Sequence, residues 1–288
     1  MYLRAVGGWS LLRESLCGME KVVSSVPEEA IGAAYAYEEL HVPALFEQWA
    51  VRVVDAAQVR DGDRVLDVAC GTGVLARTAA SRVGSHGCVT GVDPNPGMLV
   101  VAEYLEPSVR WQQGVAETLP YEDHSFDAVV SQFALMFFTD RSAALRDMMR
   151  VLVPGGRMAV AVWESLERCQ AYPIAVELLE RVAGSEAAEA LRAPFILGDR
   201  TELANLFRSA GVESVKITTH RGTARFPSIR TMVEADLRGW LPVMGVVLPE
   251  EQIQRILQEA ERVLARYVTA DGTVEFESSA HIVSGRKS

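Results

Sequence analysis

Cysteine is scarce: Cys17, Cys70, Cys88 and Cys169 are the four in 288 residues, with no CxxC pair and no adjacent histidine. That excludes a zinc site or a disulfide framework and suits a reducing, cytoplasmic setting. The histidines (His41, His86, His124, His220, His281) lack ligand spacing, so no metal is expected. Long apolar runs are missing as well, which excludes a membrane-spanning helix. Arg4, Arg13 and Glu14 interrupt the opening stretch, so it does not read as a signal peptide. Met19 offers an alternative start, and residues 1–18 are given no weight in the fold. Basic clusters are absent too. The formal net charge is −10, and the densest basic stretch is Arg286-Lys287. A phosphate-binding face needs clustered cations, so a nucleic-acid partner is not expected. No repeat or low-complexity segment interrupts the chain, which excludes a solenoid.

What remains is ordinary globular composition, 49% apolar and 23% charged. A chain this long buries about three quarters of its unfolded surface, enough to dispense with staples. Short β-branched runs at 64–69, 88–93, 109–112, 126–131 and 157–162 alternate with helix-period segments at 74–82, 96–103, 141–152 and 200–210. That alternation predicts an α/β fold with a parallel sheet between helical layers. Pro154-Gly155-Gly156 reads as a turn into the fifth strand, and two more strands are expected at 212–219 and 274–284. The expected division is a single domain over 1–288, with its core at 43–163, 199–220 and 274–284. Segment 1–42 and helical insertions at 169–197 and 228–268 would form lids or walls.

The sharpest signal is Val65-Leu66-Asp67-Val68-Ala69-Cys70-Gly71-Thr72-Gly73, a strand entering a glycine-rich turn before a helix. Glycine lets a ligand approach the main chain closely. Asp93 ends the next strand, where a carboxylate can accept both hydroxyls of a ribose. Gly71-Thr72-Gly73-Val74-Leu75-Ala76 also satisfies the dinucleotide pattern GxGxxA. Charge separates the two readings. A pyrophosphate requires free amides and no adjacent acid, whereas Asp67 faces the loop and suits a cationic nucleoside such as S-adenosylmethionine.

Further segments follow in order: Gly91-Val92-Asp93-Pro94-Asn95-Pro96-Gly97-Met98, Gly114-Val115-Ala116-Glu117-Thr118-Leu119-Pro120, Ser125-Phe126-Asp127 and Leu152-Val153-Pro154-Gly155-Gly156. Together they resemble the class I S-adenosylmethionine-dependent methyltransferases, in the branch similar to the ubiquinone/menaquinone-biosynthesis C-methyltransferases. The resemblance implies a Rossmann-like three-layer sandwich whose seven-stranded, mostly parallel sheet runs 3-2-1-4-5-7-6 with the last strand antiparallel. It also implies roles. Gly71 and Gly73 would pack on the methionine moiety, with Thr72 between them, and Asp93 would hold the ribose. Asn95 and Met98 would lie near the adenosine, and Ala116 and Glu117 would border the adenine edge. Gln132 and Phe133 would lie beside the transferred methyl, with Tyr37 folding over the cofactor. Val115 departs from relatives that carry Asp there, leaving Glu117 or a backbone carbonyl to meet the adenine amino group.

Met136, Phe137, Trp163, Trp240 and Met244 are candidates for the acceptor pocket, though each could equally be packing. Glu164 and His220 are weak candidates for a base. The expected activity is methyl transfer to a small molecule by in-line displacement, releasing S-adenosylhomocysteine, with positioning as the main task. The nucleophile (O, N, S or C) is left open, and the chain is expected to act as a monomer or homodimer. The alternative is a protein of the same fold that binds S-adenosylmethionine as a cyclase or a non-catalytic partner. Ser131-Gln132-Phe133-Ala134 lacks the Asn/Asp-Pro-Pro-aromatic signature of base-amine methylation.

Overall fold

The computed structural model describes residues 26–288; the expectations for residues 1–18, and for 1–42 as far as residue 25, lie outside them. The central sheet comprises β1 (Arg64–Val68), β2 (Cys88–Asp93), β3 (Arg110–Gln113), β4 (Phe126–Gln132), β5 (Leu152–Trp163), β6 (Glu213–His220) and β9 (Ala280–Arg286), ordered β3-β2-β1-β4-β5-β9-β6. β9 is antiparallel to both β5 and β6, and the other neighbours are parallel. Leaving aside a separate ribbon, this is the expected order. Leu66, Val129, Met158 and Val160 are fully buried, as strands covered on both faces require.

Helices α1 (Glu28–His41), α2 (Glu47–Ala56), α3 (Val74–Val83), α4 (Pro96–Leu105), α5 (Arg141–Val151), α6 (Tyr172–Ala183), α7 (Ser185–Arg192), α8 (Arg200–Ser209), α9 (Ile229–Ala235) and α10 (Glu250–Val263) pack around it. Local chemistry starts several of them. Asn95 accepts from Gly97 N and Met98 N at the head of α4, Asp140 from Ala143 N at α5, and Asp199 from Thr201 N and Glu202 N at α8.

Two expectations need correction. The run 274–284 is not one strand: β8 (Val274–Glu277) leaves the sheet and pairs antiparallel with β7 (Thr223–Phe226). Ser278 makes the break by exchanging backbone hydrogen bonds with Gly222, and only 280–286 enters the sheet. Nor is Pro154-Gly155-Gly156 a turn before the fifth strand. The β4–β5 ladder already begins at Phe126–Leu152, and the glycines form an irregularity within it, Gly155 at φ +75°.

Strand order reverses between β1 and β4, which opens a crevice at their carboxyl ends. Asp67, Asp93, Gln132 and Trp163 all sit at that edge of the sheet.

Candidate active site

The glycine turn follows β1 and leads into α3. Asp67, one residue before the end of β1, is 1% exposed, and neither carboxylate oxygen has a hydrogen-bond partner. Burial holds its pKa well above the usual carboxylate range, and Asp93 nearby adds to the rise. The Ala76 amide offsets part of this without forming a proper hydrogen bond. Asp93 accepts from Gly71 N at 2.9 Å and Asn95 N at 2.8 Å, so it ties the two loops together. Burial raises its pKa too, against the pull of those amides. Each oxygen keeps a second lone pair for a ligand.

α1 lies across the turn. Glu38 accepts from Thr72 Oγ1 at 2.5 Å and from Arg77 at 2.6 Å, a latch between helix and loop. Tyr37 stands over Gly71, where a Cβ would meet only the tyrosine ring at 4.0 Å. Gly73 differs. Its φ is +89°, and a Cβ there would lie 2.4 Å from Trp111, so its first service is to helix–sheet packing. Met98 of α4 packs against a small cluster formed by Ile31 and Ala34 of α1 with Val100 and Val101 of α4. Ala116 is buried, whereas Val115 is exposed. Glu117 is engaged elsewhere, its Oε1 accepting from Thr139 N and Asp140 N.

At the end of β4, Gln132 donates to Phe46 O at 3.2 Å and leaves its own Oε1 unpartnered; the neighbouring Ser131 hydroxyl is unpartnered too. Phe133 adopts φ +56°, costly for an aromatic residue. It stacks on Trp163 with centroids 3.9 Å apart and planes 12° apart. Phe46 lies 5.6 Å from Phe133 and 6.1 Å from Trp163, and Trp49 meets both edge-on. Met136 is buried in the same core. Phe137 lies 5.0 Å from Trp240, and Met244 packs against the core from the same insertion.

The weak base candidates fare less well. His220 bonds to Thr218 within its own strand and is separated from Trp163 by β9. Glu164 follows Trp163, its amide donating to Ser279 O. His281 is buried with both ring nitrogens bonded, to Thr219 and to Gly198 O. A cleft of about 320 Å³ lies at the opposite, amino ends of β1–β4, lined by Arg64, Cys88 and Arg110 among others, and holds none of the expected site residues. Sequence reasoning missed Glu38 and Arg77. Glu38 meets Thr72 from 34 residues away, and nothing local marks such a pair.

An acid beside the end of β1, an acid ending β2 and a glycine turn between them define a nucleoside-binding Rossmann-like domain. Comparison with known proteins agrees. The methyltransferase-domain family matches residues 65–156. Demethylmenaquinone methyltransferase of Staphylococcus carnosus is 33% identical over 203 residues, covering 65% of this chain and 84% of that protein. The ubiquinone/menaquinone biosynthesis C-methyltransferase UbiE of Cronobacter sakazakii is 34% identical over 201 residues, 60% of this chain and 79% of that one. In fold, the chain is similar to the YcgJ protein of Bacillus subtilis, with a TM-score of 0.55 at 21% identity over 83% of this chain and 98% of that one.

The chain belongs to the class I S-adenosylmethionine-dependent methyltransferases. It is an enzyme that methylates small molecules, and S-adenosylmethionine is its cofactor. The residues present fit that cofactor: a buried carboxylate with both oxygens unpartnered, beside a glycine turn, suits a ligand that brings an ammonium.

Proposed function

We propose that the acceptor is a planar, largely apolar ring bearing a hydroxyl, of the phenol or quinol class, methylated at the carboxyl ends of β4 and β5. The observation that carries this reading is the aromatic cluster at those strand ends, in which half-buried Phe46 packs on the buried Phe133 and Trp163 and the fully buried Trp49 braces both. Aromatic faces and edges favour flat partners. The similar proteins are named for methylation in quinone biosynthesis, which supports the same class.

In this proposal Asp67 takes the ammonium of the cofactor, and the free lone pairs of Asp93 take the ribose hydroxyls. Gly71 and Gly73 shape the turn and Thr72 anchors it to α1. Asn95 holds the head of α4, Met98 offers an apolar face, and the backbone at Ala116 and Glu117 borders the adenine. Gln132, Phe133 and Tyr37 enclose the methyl end; Met136, Phe137, Trp163, Trp240 and Met244 line the acceptor side. When bound, the cofactor supplies an electrophilic methyl group. The chain's own work is then alignment and exclusion of water, to which its rings contribute more than any acid or base. The core at 43–163, 199–220 and 274–284 carries the donor site, and 169–197 and 228–268 cover it. The net charge of −10 supports action without nucleic acid, and the proposal takes the chain to work in the cytoplasm as a monomer or homodimer.

The test is release of S-adenosylhomocysteine with a panel of phenols, reduced naphthoquinones, aliphatic amines and thiols. Turnover with the hydroxylated rings is expected. Turnover confined to amines or thiols overturns the reading, and ligand conversion without S-adenosylhomocysteine points to the cyclase-like alternative.

A further inference from the structure

Two stretches of π-helix, Val42–Phe46 and Asp236–Trp240, interrupt otherwise α-helical runs. Such turns are rare and gather at functional sites. The two meet at His41. It is the last residue of α1, directly before the first stretch, and a Cβ on Gly239 of the second would lie 3.6 Å from its Cε1.

The ring of His41 stacks on Tyr37, with centroids 5.5 Å apart and planes 21° apart. Tyr37 stacks in turn on Phe46, which reaches Phe133 and Trp163. One run of rings therefore joins His41 to the aromatic wall. Its Nδ1 is shielded from solvent and has no hydrogen-bond partner. Burial lowers its pKa to about 4, so at neutral pH the ring carries one N–H and one lone pair and no charge.

A histidine buried for packing alone has its nitrogens satisfied, and this molecule contains one. His281 bonds at both, to Thr219 and to Gly198 O, each at 2.9 Å. Nor is His41 suited to act as a cation at the helix end, since burial lowers its pKa to about 4 and leaves it uncharged at neutral pH. His41 is half-buried, but its Nδ1 is shielded and has no partner, and a ligand that supplies the missing partner is one reason for such an atom.

We propose that His41 is the polar contact for the acceptor: its unpartnered ring nitrogen accepts a hydrogen bond from the acceptor hydroxyl and so fixes how the ring lies against the aromatic wall. This rests on the acceptor class proposed above. His41 then determines specificity, favouring rings with a free O–H over the same rings alkylated there.

Two probes test it: 2-naphthol and its methyl ether, 2-methoxynaphthalene. Each is titrated by fluorescence into the full chain saturated with S-adenosylhomocysteine. The parent should bind naphthol about tenfold more tightly than the ether, the equivalent of one well-made hydrogen bond. His41→Phe keeps the stacking on Tyr37, so it should weaken naphthol alone and abolish the preference. His41→Asn, which returns an acceptor near the position of Nδ1, should restore part of it. S-adenosylhomocysteine affinity, measured by calorimetry, should be unchanged in both. His41→Leu serves the same comparison where the Phe variant does not fold. A preference that survives His41→Phe or His41→Leu overturns the proposal, as does equal weakening of both probes. A parent that binds both probes equally sinks the His41 assignment alone. A parent that binds neither sinks the acceptor class beneath it, and this proposal with it.

Discussion

Gly71 and Gly73 are two residues apart and have different reasons to be glycine. Both adopt positive φ, +54° and +89°, but the space beside Gly71 is open whereas Trp111 fills the space beside Gly73. Gly73→Ala should therefore cost about 2–4 kcal/mol in urea unfolding, backbone strain plus overpacking. Adding Trp111→Leu, which removes the clash but also buried area, should return only the steric part. Gly71→Ala should cost about 1 kcal/mol of stability and show mainly as weaker S-adenosylhomocysteine binding. Equal stability losses for the two alanines would refute the distinction. Asp67 gives a sharper contrast still. Its oxygens hold nothing in the protein, so Asp67→Asn should leave the unfolding midpoint close to the parent's. Affinity for S-adenosylhomocysteine should nonetheless fall by roughly 10- to 100-fold, the worth of a hydrogen bond to a charged group. Intact affinity in calorimetric titration would remove Asp67 from the donor site.

The elements show where local pattern reaches and where it stops. Strands β1, β2 and β4 and the capped helices were legible because their signals are local: alternating or continuous apolar runs, and Asn95, Asp140 and Asp199 at helix heads. The run 274–284 misled because Val274 and Phe276 alternate with glutamates as a strand does, Ile282 and Val283 are apolar again, and Ser278-Ser279 carries no proline or glycine to announce the break. Of the site, Asp67, Asp93 and Gln132 were legible from their places at strand ends. The latch of Glu38 on Thr72 and Arg77 was not, since only the fold brings them together. Glu38→Ala should speed amide exchange across α1 and weaken cofactor binding while the sheet amides keep their protection; unchanged exchange in 28–41 would show the latch to be idle. Asp236, in the insertion's π-helix, adds a pH signature. Burial raises its pKa to about 8, so the folded chain holds a proton that the unfolded chain releases near pH 4. The folded state thus binds more protons between those values, and stability falls as pH rises from about 4 to about 8, then levels. Asp236→Asn should flatten that slope in urea midpoints taken at pH 5, 7 and 9; parallel profiles for parent and variant would count against it.

At the scale of the molecule, the two insertions are one body. Leu178 and Leu179 of α6, Leu191 of α7, Val233 of α9, Leu237 of the π-helical stretch after it and Ile256 of α10 face a shared narrow space, and their apolar core is continuous with that of the sheet. Reading 169–197 and 228–268 separately gave no hint of this, because each carries an ordinary helical pattern whose apolar face names no partner. Trp240 joins this lobe to the carboxyl ends of the strands. Its indole N–H donates to Ala190 O of α7 at 2.8 Å, and its ring lies against Phe137, just beyond the end of β4. One residue therefore ties the two insertions together and meets Phe137, on the proposed acceptor side, while Asp67 and Asp93, the proposed donor groups, lie on other strands. If the lobe is a wall of the acceptor pocket, Trp240→Ala should change acceptor KM or kcat severalfold and leave S-adenosylhomocysteine affinity nearly intact. Trp240→Phe separates the two tasks, since it keeps a ring against Phe137 but loses the bond to Ala190 O. Stability should drop by about 1–3 kcal/mol in the Phe variant, because a buried carbonyl loses its donor. Its acceptor kinetics should stay nearer the parent's than those of the alanine variant. Should both variants lose stability alone and turn over every acceptor like the parent, the lobe is packing, and the pocket wall lies on the α1 side with Tyr37 and Phe46.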